Sequence, residues 1–293
     1  MGISKRTAMG VLGIDFGGTQ IRAGLVTGDR LMKTALELTP STASEPEVLK
    51  ALFSVIDQFK EHQVDRIGIG VPSVVDVKAG IVYDVQNIPS LKEVPLKAHL
   101  ESKYGVPVLV NNDANCFVLG EKYFGKGKAY ENIVGLTLGT GLGGGVIIHD
   151  RLYMGANCGA GEFGMVAYLK HNYEYYASGQ SFENLYRTTG TTVYEKARSG
   201  DPVAQDRFTQ FGYYLAEAIK MVLYTYDPQV IIFGGSVKKA FDLFEKPMWE
   251  RLHKFAYTHS LKKLKIVVSE LDHSGILGAV ALWHDFDRIE EMR

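Results

Sequence analysis

The chain has 293 residues, of which 46% are hydrophobic and 22% are charged, a balance typical of a globular protein long enough for two domains. The formal net charge of −1 provides no basic field for nucleic acid, and no apolar run approaches the ~20 residues that cross a bilayer. Two cysteines cannot form a disulfide framework and suit a reducing compartment, so we expect a cytoplasmic protein without nucleic-acid or membrane partners.

The first half of the chain alternates between predicted strands and helices. Residues 11–38 are strand-like, and Glu45–His62 has helical periodicity with an apolar face. The following predicted elements are a strand at Arg66–Val71, a helix at Leu96–Tyr104, a strand at Val106–Val110 and a helix at Ala114–Phe124, which Asn112 and Asp113 precede as capping residues.

The second half opens with a glycine-rich strand pair at Ile133–His149. Its later predicted elements are a long amphipathic helix at Pro202–Tyr226, a strand at Gln229–Phe233, a helix ending near Phe255, a strand at Leu264–Val268 and a terminal helix from Ser274. Because strands alternate with helices in both halves, we expect an α/β fold of two domains with the ligand site in the cleft between them.

The stretch Val11–Val26, VLGIDFGGTQIRAGLV, predicts a strand, a tight turn at Gly17, Gly18 and Thr19, and a return strand. Glycine lets the backbone approach a ligand closely, and the exposed N–H groups of such a turn can cradle phosphate oxygens. Asp15, at the end of the first strand, can hold Mg²⁺ directly or through water. A purely structural hairpin is the alternative.

A second turn of this kind, Gly139-Thr140-Gly141, lies in IVGLTLGTGLGGGVIIH. The glycine spacing matches the dinucleotide fingerprint, but a strand-like segment follows where that fingerprint needs a helix, so we predict another strand–turn–strand. Thr140 would meet a transferring phosphoryl group there. A further glycine pair, Gly234-Gly235, follows the strand QVIIF. Three such turns in one chain favour a ligand-binding role over ordinary structural hairpins.

The sequence contains no G-x-x-x-x-G-K-[ST] motif, which excludes a P-loop. Paired hairpins with a late Gly-Gly are instead typical of the actin-like superfamily of sugar kinases and heat-shock ATPases. Within it, four ordered segments resemble the ROK family (repressor, open reading frame, kinase) over residues 11 to about 285, namely IDFGGTQIRAGLV, VNNDANCFVLGEKYFGKG, LTLGTGLGGGVI and GAGEFGMV.

This resemblance implies two actin-like (ribonuclease H-like) α/β domains around a central cleft, with residues 1–112 plus 276–293 in the first and 113–275 in the second. The final helix would pack on the first domain. The resemblance also implies an ATP- and Mg²⁺-dependent kinase that phosphorylates a hydroxyl of a hexose or an N-acetylhexosamine. The nucleotide-binding residues would be Asp15, Gly17, Gly18, Thr19, Gly139, Thr140, Gly141, Gly234 and Gly235, with Asp15 also serving Mg²⁺.

Asp113 lies at a strand end and a helix start, where the helix dipole would keep a catalytic base ionised. From its residue type alone it is more typical of a helix N-cap, which is what an aspartate before a helix usually is. The match of VNNDAN to the family's catalytic motif favours the base. The same resemblance assigns sugar contacts to Asn87, Asn112, Asp113, Glu162 and Glu174, whereas a lone glutamate by itself is typical of a solvated surface.

One segment departs from the family. Relatives usually carry a histidine and a cysteine run that bind a structural zinc, but here Met165 replaces the histidine and MVAYLKHNYEYY has no cysteine. His171 alone cannot make a four-ligand site. We therefore expect no structural zinc and a loop held by packing of Tyr168, Tyr173, Tyr175 and Tyr176.

Two other functional classes remain open beside the kinase. Part of the ROK family regulates transcription through a DNA-binding domain ahead of the first phosphate motif, and only ten residues precede Val11 here, so we expect no DNA binding. The other class is a sugar-binding protein without catalytic activity. This class is disfavoured because the chain retains Asp15, Asp113 and the second glycine turn. Homodimers are common in the family, so the resemblance also allows a homodimer.

Overall fold

The computed structural model describes residues 9–291, so residues 1–8 and 292–293 of the predicted first domain lie outside it. The described residues form two compact units. The first contains the chain up to Gly125, Met154–Gly159 and the chain from Leu271 onward. The second contains Lys126–Tyr153 and Ala160–Glu270.

The helices and strands are named in chain order. The strands are β1 (Gly10–Phe16), β2 (Gln20–Thr27), β3 (Arg30–Leu38), β4 (Arg66–Val71), β5 (Val74–Asp76), β6 (Ile81–Tyr83), β7 (Glu93–Val94), β8 (Val108–Asn112), β9 (Ile133–Leu138), β10 (Leu142–Ile148), β11 (Arg151–Leu152), β12 (Ala167–Tyr168), β13 (His171–Asn172), β14 (Val230–Gly234) and β15 (Lys265–Val268). The α-helices are α1 (Glu45–Asp57), α2 (Leu96–Tyr104), α3 (Asp113–Tyr123), α4 (Tyr173–Ala177), α5 (Ser181–Tyr186), α6 (Gly190–Arg198), α7 (Pro202–Tyr226), α8 (Phe241–Leu252), α9 (Thr258–Lys263) and α10 (Ser274–Glu291). Short 3₁₀ helices lie at Phe163–Met165 and Val237–Ala240.

The main sheet of the first unit has the strand order β3-β2-β1-β4-β8. The hairpin pairs β1–β2 and β2–β3 are antiparallel, whereas β4 and β8 continue the sheet in parallel. The apolar face of α1 packs in the core of this unit, as its periodicity predicts, with Val48, Leu52, Val55 and Ile56 buried.

Helix α10 packs against the first unit, as the resemblance implies. The indole N–H of Trp283 donates a hydrogen bond to the backbone carbonyl of Ile67 at 2.9 Å. The guanidinium of Arg66 lies 4.6 Å from the Trp283 ring and donates to both oxygens of Asp287. These contacts fix a long helix over β1 and β4.

Helix α3 also belongs to the first unit, because it packs closely on α10. A Cβ atom at Gly278 would lie 2.3 Å from the backbone oxygen of Cys116, so only glycine allows this approach. The compact units therefore divide after Gly125, and not at the predicted boundary between residues 112 and 113. Met154–Gly159 likewise lies in the first unit, outside the predicted range of that domain.

The main sheet of the second unit has the order β11-β10-β9-β14-β15, which repeats the order of the first sheet. Its hairpin strands β9, β10 and β11 pair antiparallel, and β14 and β15 extend it in parallel. The buried face of α7 contains all six of its predicted apolar residues, Phe208, Phe211, Leu215, Ile219, Val222 and Leu223. The predicted pair of ribonuclease H-like α/β domains is confirmed.

Several elements differ from their predicted bounds. Helix α1 ends at Asp57 because turns follow, and β8 extends to Asn112 through its pairing with β4. The helix predicted to end near Phe255 is divided between the 3₁₀ turn at Val237–Ala240 and α8. The small sheets β5-β6-β7 and β12-β13 were not predicted, since two- and three-residue strands carry no clear periodicity.

None of the helices between residues 9 and 291 combines the length and apolar character that crossing a membrane requires.

Candidate functional site

The first glycine turn connects β1 and β2 and is held by Thr39, which follows β3. The Gly17 N–H donates to the backbone oxygen of Gln20 at 3.0 Å, and the Thr39 hydroxyl donates to the oxygen of Gly17 at 2.7 Å. The Thr39 N–H donates to the oxygen of Thr19 at 3.0 Å. Thr19 itself is exposed at the tip of the turn, where a ligand can reach its N–H and hydroxyl.

Asp15 lies at the end of β1, beside the first turn. Its carboxylate is packed against the start of α10, because a Cβ atom at Gly275 would lie 2.5 Å from its Oδ2. Burial raises the pKa of Asp15, and the positive charge of its cross-strand partner Arg22 partly opposes that rise. Gln20 positions Arg22, since its Oε1 accepts from Nη2 of the guanidinium at 2.8 Å. Asp15 is therefore a desolvated carboxylate with a cation beside it.

Asn87 lies directly against the first turn. A Cβ atom at Gly18 would lie 2.8 Å from the Cβ of Asn87, so glycine is needed for this approach. Asn87 has a positive φ of 64°, a conformation that Asn tolerates better than most residues. The first unit thus brings a predicted sugar contact and a predicted phosphate turn together.

Asn112 caps helix α3, and this decides how the Asp113 carboxylate is presented. The side-chain oxygen of Asn112 accepts from the N–H groups of Ala114 at 2.9 Å and Asn115 at 3.4 Å. Its amide donates to the backbone oxygen of Ser73 at 3.2 Å. Asp113 is the first helical residue and is exposed, with its Oδ1 2.9 Å from the Ala114 N–H. Asn112 is therefore the N-cap of α3, and Asp113 is the first residue of the helix.

Asp15 and Asp113 both lie close enough to one buried thiol, Cys116, to affect its pKa. Burial raises the pKa of Cys116 well above its usual range, and the negative charges of Asp113 and Asp15 raise it further. Cys116 is in van der Waals range of Gly70, which pairs with Asp15 across the sheet. The carboxylates predicted to serve the metal and the proton transfer are therefore near neighbours in the first unit.

The second glycine turn, between β9 and β10, is held by the segment that follows α4. The Gly179 N–H donates to the oxygen of Gly139 at 2.7 Å, and the Gln180 N–H donates to the oxygen of Thr140 at 3.4 Å. Thr140 is exposed at the tip. This arrangement leaves the outer side of the turn open, since a Cβ atom at Gly139 would have nothing within 4 Å.

Glu174 contacts the second glycine turn through its carboxylate. Its Oε2 accepts a hydrogen bond from the Leu142 N–H at 2.9 Å, and a Cβ atom at Gly141 would lie 2.4 Å from the same oxygen. Burial raises the pKa of Glu162, and the negative charge of Glu174 raises it further. The two glutamates predicted to bind sugar are therefore neighbours, and Glu174 also contacts the second glycine turn.

A pocket of about 470 Å³ lies beside the second turn. It is lined by Thr140, Gly179, Phe182, Gly190, Thr191, Tyr194, Glu195, Phe208, Ser236, Val237, Lys239 and Ala240. Gly234-Gly235 leads into this lining, and Gly235 has a φ of 78° that favours glycine. Apart from Thr140, the sequence reasoning missed these residues. The Gly-Gly-Ser run at 234–236 was the one local signal that pointed to them.

The loop at 165–176 is held by aromatic packing, as predicted. The ring of Tyr168 stacks on Tyr173 at 4.6 Å and contacts Tyr176 at 5.6 Å. His171 stacks on Tyr175 at 3.8 Å. Burial raises the pKa of Tyr168 to about 12, and the nearby negative charge of Glu217 contributes, so this ring stays neutral at physiological pH. Among residues 9–291, no group of three His, Cys, Asp or Glu side chains is placed to hold a metal ion.

Comparison with known proteins supports one family. Residues 11–286 match the sequence profile of the ROK family. The chain is 30% identical to a glucokinase of Thermotoga maritima, over 93% of this chain and 96% of that protein. It is 29% identical to an N-acetyl-D-glucosamine kinase of Vibrio vulnificus, over 92% and 98%. A crystal structure of a ROK family glucokinase from Streptomyces griseus, in complex with glucose and AMPPNP, superposes with a TM-score of 0.80 at 29% identity, covering 93% of this chain and 98% of that chain.

Proposed function

Because the chain belongs to the ROK family, we propose that it is a sugar kinase that transfers the γ-phosphoryl group of ATP to a hydroxyl of a hexose or an N-acetylhexosamine. The observation that carries this proposal is the exposed carboxylate of Asp113. Asn112 already caps α3, so Asp113 lies at the positive end of a helix without being needed as its N-cap. A carboxylate at the start of a helix is placed to accept a proton.

We assign the nucleotide to the second unit. The pocket beside Gly139-Thr140-Gly141 has the size of a small-molecule site. The half-buried Tyr194 supplies aromatic surface for a base, while the N–H groups of the turn suit phosphate oxygens. The AMPPNP bound by the Streptomyces griseus glucokinase is an ATP analogue, which supports ATP as the phosphoryl donor.

Asp15 is the residue we assign to Mg²⁺, held directly or through water. Its carboxylate lies at a strand end beside the first glycine turn, and hard cations prefer such oxygen ligands. When bound, Mg²⁺ would neutralise negative charge on the phosphate oxygens. Gly18 and Thr19 would contribute N–H groups to phosphate oxygens, and Gly17, whose own N–H donates to Gln20, would keep the turn tight.

The remaining roles concern the sugar. Asp113 would take the proton from the attacking sugar hydroxyl while the hydroxyl oxygen bonds to the γ-phosphorus and the bond between that phosphorus and the departing ADP breaks. Asn112 donates one amide hydrogen to Ser73, which leaves the other for a sugar hydroxyl. Glu174 uses Oε2 for the Leu142 N–H, which leaves Oε1, and Glu162 adds a second carboxylate for neighbouring hydroxyls. We propose Asn87 as a further sugar contact.

A coupled assay of ADP release over glucose, mannose, glucosamine, N-acetylglucosamine and N-acetylmannosamine tests the proposal. We expect ATP- and Mg²⁺-dependent release with at least one of these sugars. Sugar binding in calorimetry without ADP release would instead support the non-catalytic alternative. The absence of both binding and release over the whole panel would contradict the proposed function.

We also propose that the protein needs no structural zinc. The 165–176 loop carries Met165 and a single histidine, and neutral tyrosine and methionine are poor zinc ligands. Aromatic packing holds this loop instead. Elemental analysis of protein purified without chelator should find well under one zinc per chain. Stoichiometric zinc whose removal abolishes activity would contradict this.

A homodimer, which the family resemblance allows, stays a prediction. Light scattering coupled to size-exclusion chromatography measures the mass in solution, and the chain mass of 32.4 kDa separates a monomer from a dimer clearly.

A further inference from the structure

A groove of about 610 Å³ lies in the first unit, and none of the residues assigned above lines it. One wall is formed by Val74–Lys78 and Tyr83, on the β5–β6 hairpin. The other wall is formed by Met154–Cys158, the segment that belongs to this unit although its neighbours in sequence do not. Its volume lies within the range of small-molecule sites.

The first wall is hydrogen-bonded to a proposed sugar contact. The backbone oxygen of Ser73, immediately before Val74, accepts from the Asn112 amide at 3.2 Å. The Ser73 hydroxyl donates to the backbone oxygen of Tyr83, whose N–H donates back to it at 3.2 Å. Ser73 therefore links Asn112 to both strands of the hairpin wall.

The second wall is fixed to the residue before Asn112. The Asn111 amide donates to the Met154 sulfur at 3.1 Å, and the Cys158 thiol donates to the Asn111 side-chain oxygen at 3.3 Å. Asn115, in the first turn of α3, also donates to the Cys158 sulfur at 3.5 Å. Both walls are therefore hydrogen-bonded to the end of β8, which Asp113 follows directly. The groove thus adjoins the position proposed for the sugar.

The surface of the groove combines an apolar lining with a polar margin. Val74 is 48% exposed, an unusual exposure for a valine in a strand, and the side chains of Met154 and Tyr83 are half-buried. The exposed side chains of Asp76 and Lys78 carry opposite charges, so neither sign dominates. Such a surface suits an uncharged group with an apolar face, and it does not suit a phosphate or a carboxylate.

We propose that this groove is a subsite for an uncharged, partly apolar substituent carried by the sugar, and that the preferred substrate is a substituted hexose. The inference rests on the proposed function, because it needs the sugar at Asn112 and Asp113. Two sources share this chemistry, an N-acyl group on the ring and the aglycone of a glycoside. Contact with an apolar subsite typically changes specificity by about 10- to 200-fold.

The first experiment measures binding and turnover of three probes, glucose, N-acetylglucosamine and phenyl β-glucoside. We expect calorimetry to give a dissociation constant at least about tenfold lower for one substituted probe than for glucose. Preference for N-acetylglucosamine would identify an acyl subsite, and preference for phenyl β-glucoside an aglycone subsite. Equal or weaker binding of both substituted probes would overturn the inference.

The second experiment fills the groove from each wall with Val74→Trp and Ala156→Trp. Both side chains belong to exposed residues, so the bulk enters the groove rather than the core. We expect the ratio of affinities, substituted probe over glucose, to fall by about tenfold or more in each. Val203→Trp, at another exposed valine on α7 of the second unit, is the matched control and should keep the wild-type ratio.

The outcomes separate the two proposals. ADP release that fails with every sugar rejects the kinase, while the binding ratios still decide the groove. ADP release with wild-type ratios in both filled variants rejects the groove and leaves the kinase standing. If one filled variant fails to fold, the other decides, because the two substitutions lie on different walls.

Discussion

The two glycine turns occupy the same place in two sheets of the same strand order, yet different contacts hold them. The first turn is tied to the end of β3 through Thr39 and touches Asn87 by close packing. The second turn is tied to the segment after α4 through Gly179 and is supported by a hydrogen bond from Leu142 to the charged side chain of Glu174.

This difference shows two ways to connect a proposed phosphate-binding turn with a proposed sugar contact. In the first unit the connection is steric, because the Cβ atom of Asn87 occupies the space above Gly18. In the second unit it is electrostatic, because the Glu174 carboxylate accepts from the turn and also raises the pKa of Glu162. A steric connection should respond to added volume, and an electrostatic one to pH and charge.

The largest expected effect leaves both turns intact and removes only the proton acceptor. Asp113→Asn keeps the size of the side chain, so sugar and nucleotide affinities should stay within a few-fold of wild type. Turnover should fall by about 10²–10⁴, the usual cost of losing a general base. Steady-state ADP release measures this, with Asp206→Asn at an exposed position on α7 as the control. Retention of more than about a third of wild-type turnover would exclude Asp113 as the base.

The next effect tests whether the second turn binds phosphate. A Cβ atom at Gly139 would meet nothing within 4 Å, so Gly139→Ala should fold normally but crowd a ligand at the exposed N–H groups. Loss of one hydrogen bond to a charged oxygen, worth about 1.5–3 kcal/mol, would weaken ATP binding roughly 10- to 100-fold. Gly159→Ala, at an equally open position, should bind ATP like wild type. Equal ATP affinities of the two variants in calorimetry would remove the turn from the nucleotide site.

A smaller effect separates steric from electrostatic support. Gly18→Ala would place its Cβ atom 2.8 Å from the Asn87 Cβ, which cannot rotate away, so we expect a loss of about 1–3 kcal/mol in the free energy of unfolding. Gly141→Ala would meet Oε2 of Glu174, the far end of a flexible side chain that can move aside, and should cost less. Urea denaturation of both variants measures the difference. A larger loss for Gly141→Ala would reverse our interpretation of the two turns.

The smallest effect concerns charge in the second unit. Glu174→Gln retains an oxygen for the Leu142 N–H but removes the negative charge that raises the pKa of Glu162. The pKa of Glu162 should therefore fall, although burial still holds it above its ordinary value. Because the ionised form accepts hydrogen bonds from sugar hydroxyls, the acidic limb of sugar affinity should move to lower pH. Glu245→Gln, at an exposed site on α8, is the control and should leave the pH dependence of sugar affinity unchanged. The same pH dependence in Glu174→Gln as in wild type would show that Glu162 and Glu174 are not coupled.

Much of the fold could be predicted because its signals are local. The periodicity of Pro202–Tyr226 places its apolar residues on one face, and that face is buried. The glycine turns end strands where predicted. The pocket that we propose for the nucleotide could not be predicted in the same way, because its lining comes from separate segments such as Gly190-Thr191 and Ser236–Ala240.

The sequence by itself determined the two sheets, the glycine turns that end their first strands, and the polar pair Asn112-Asp113 before a helix, since strand patterning, turn chemistry and capping depend on neighbouring residues. Only the tertiary structure decided which of the two caps α3, because pairing with β4 extends β8 to Asn112 and makes it the N-cap. It also decided that α3 packs with α10, through close approach at Gly278, and that Glu174 supports a turn far from it in sequence. These outcomes depend on contacts between distant segments, whose positions no local pattern encodes.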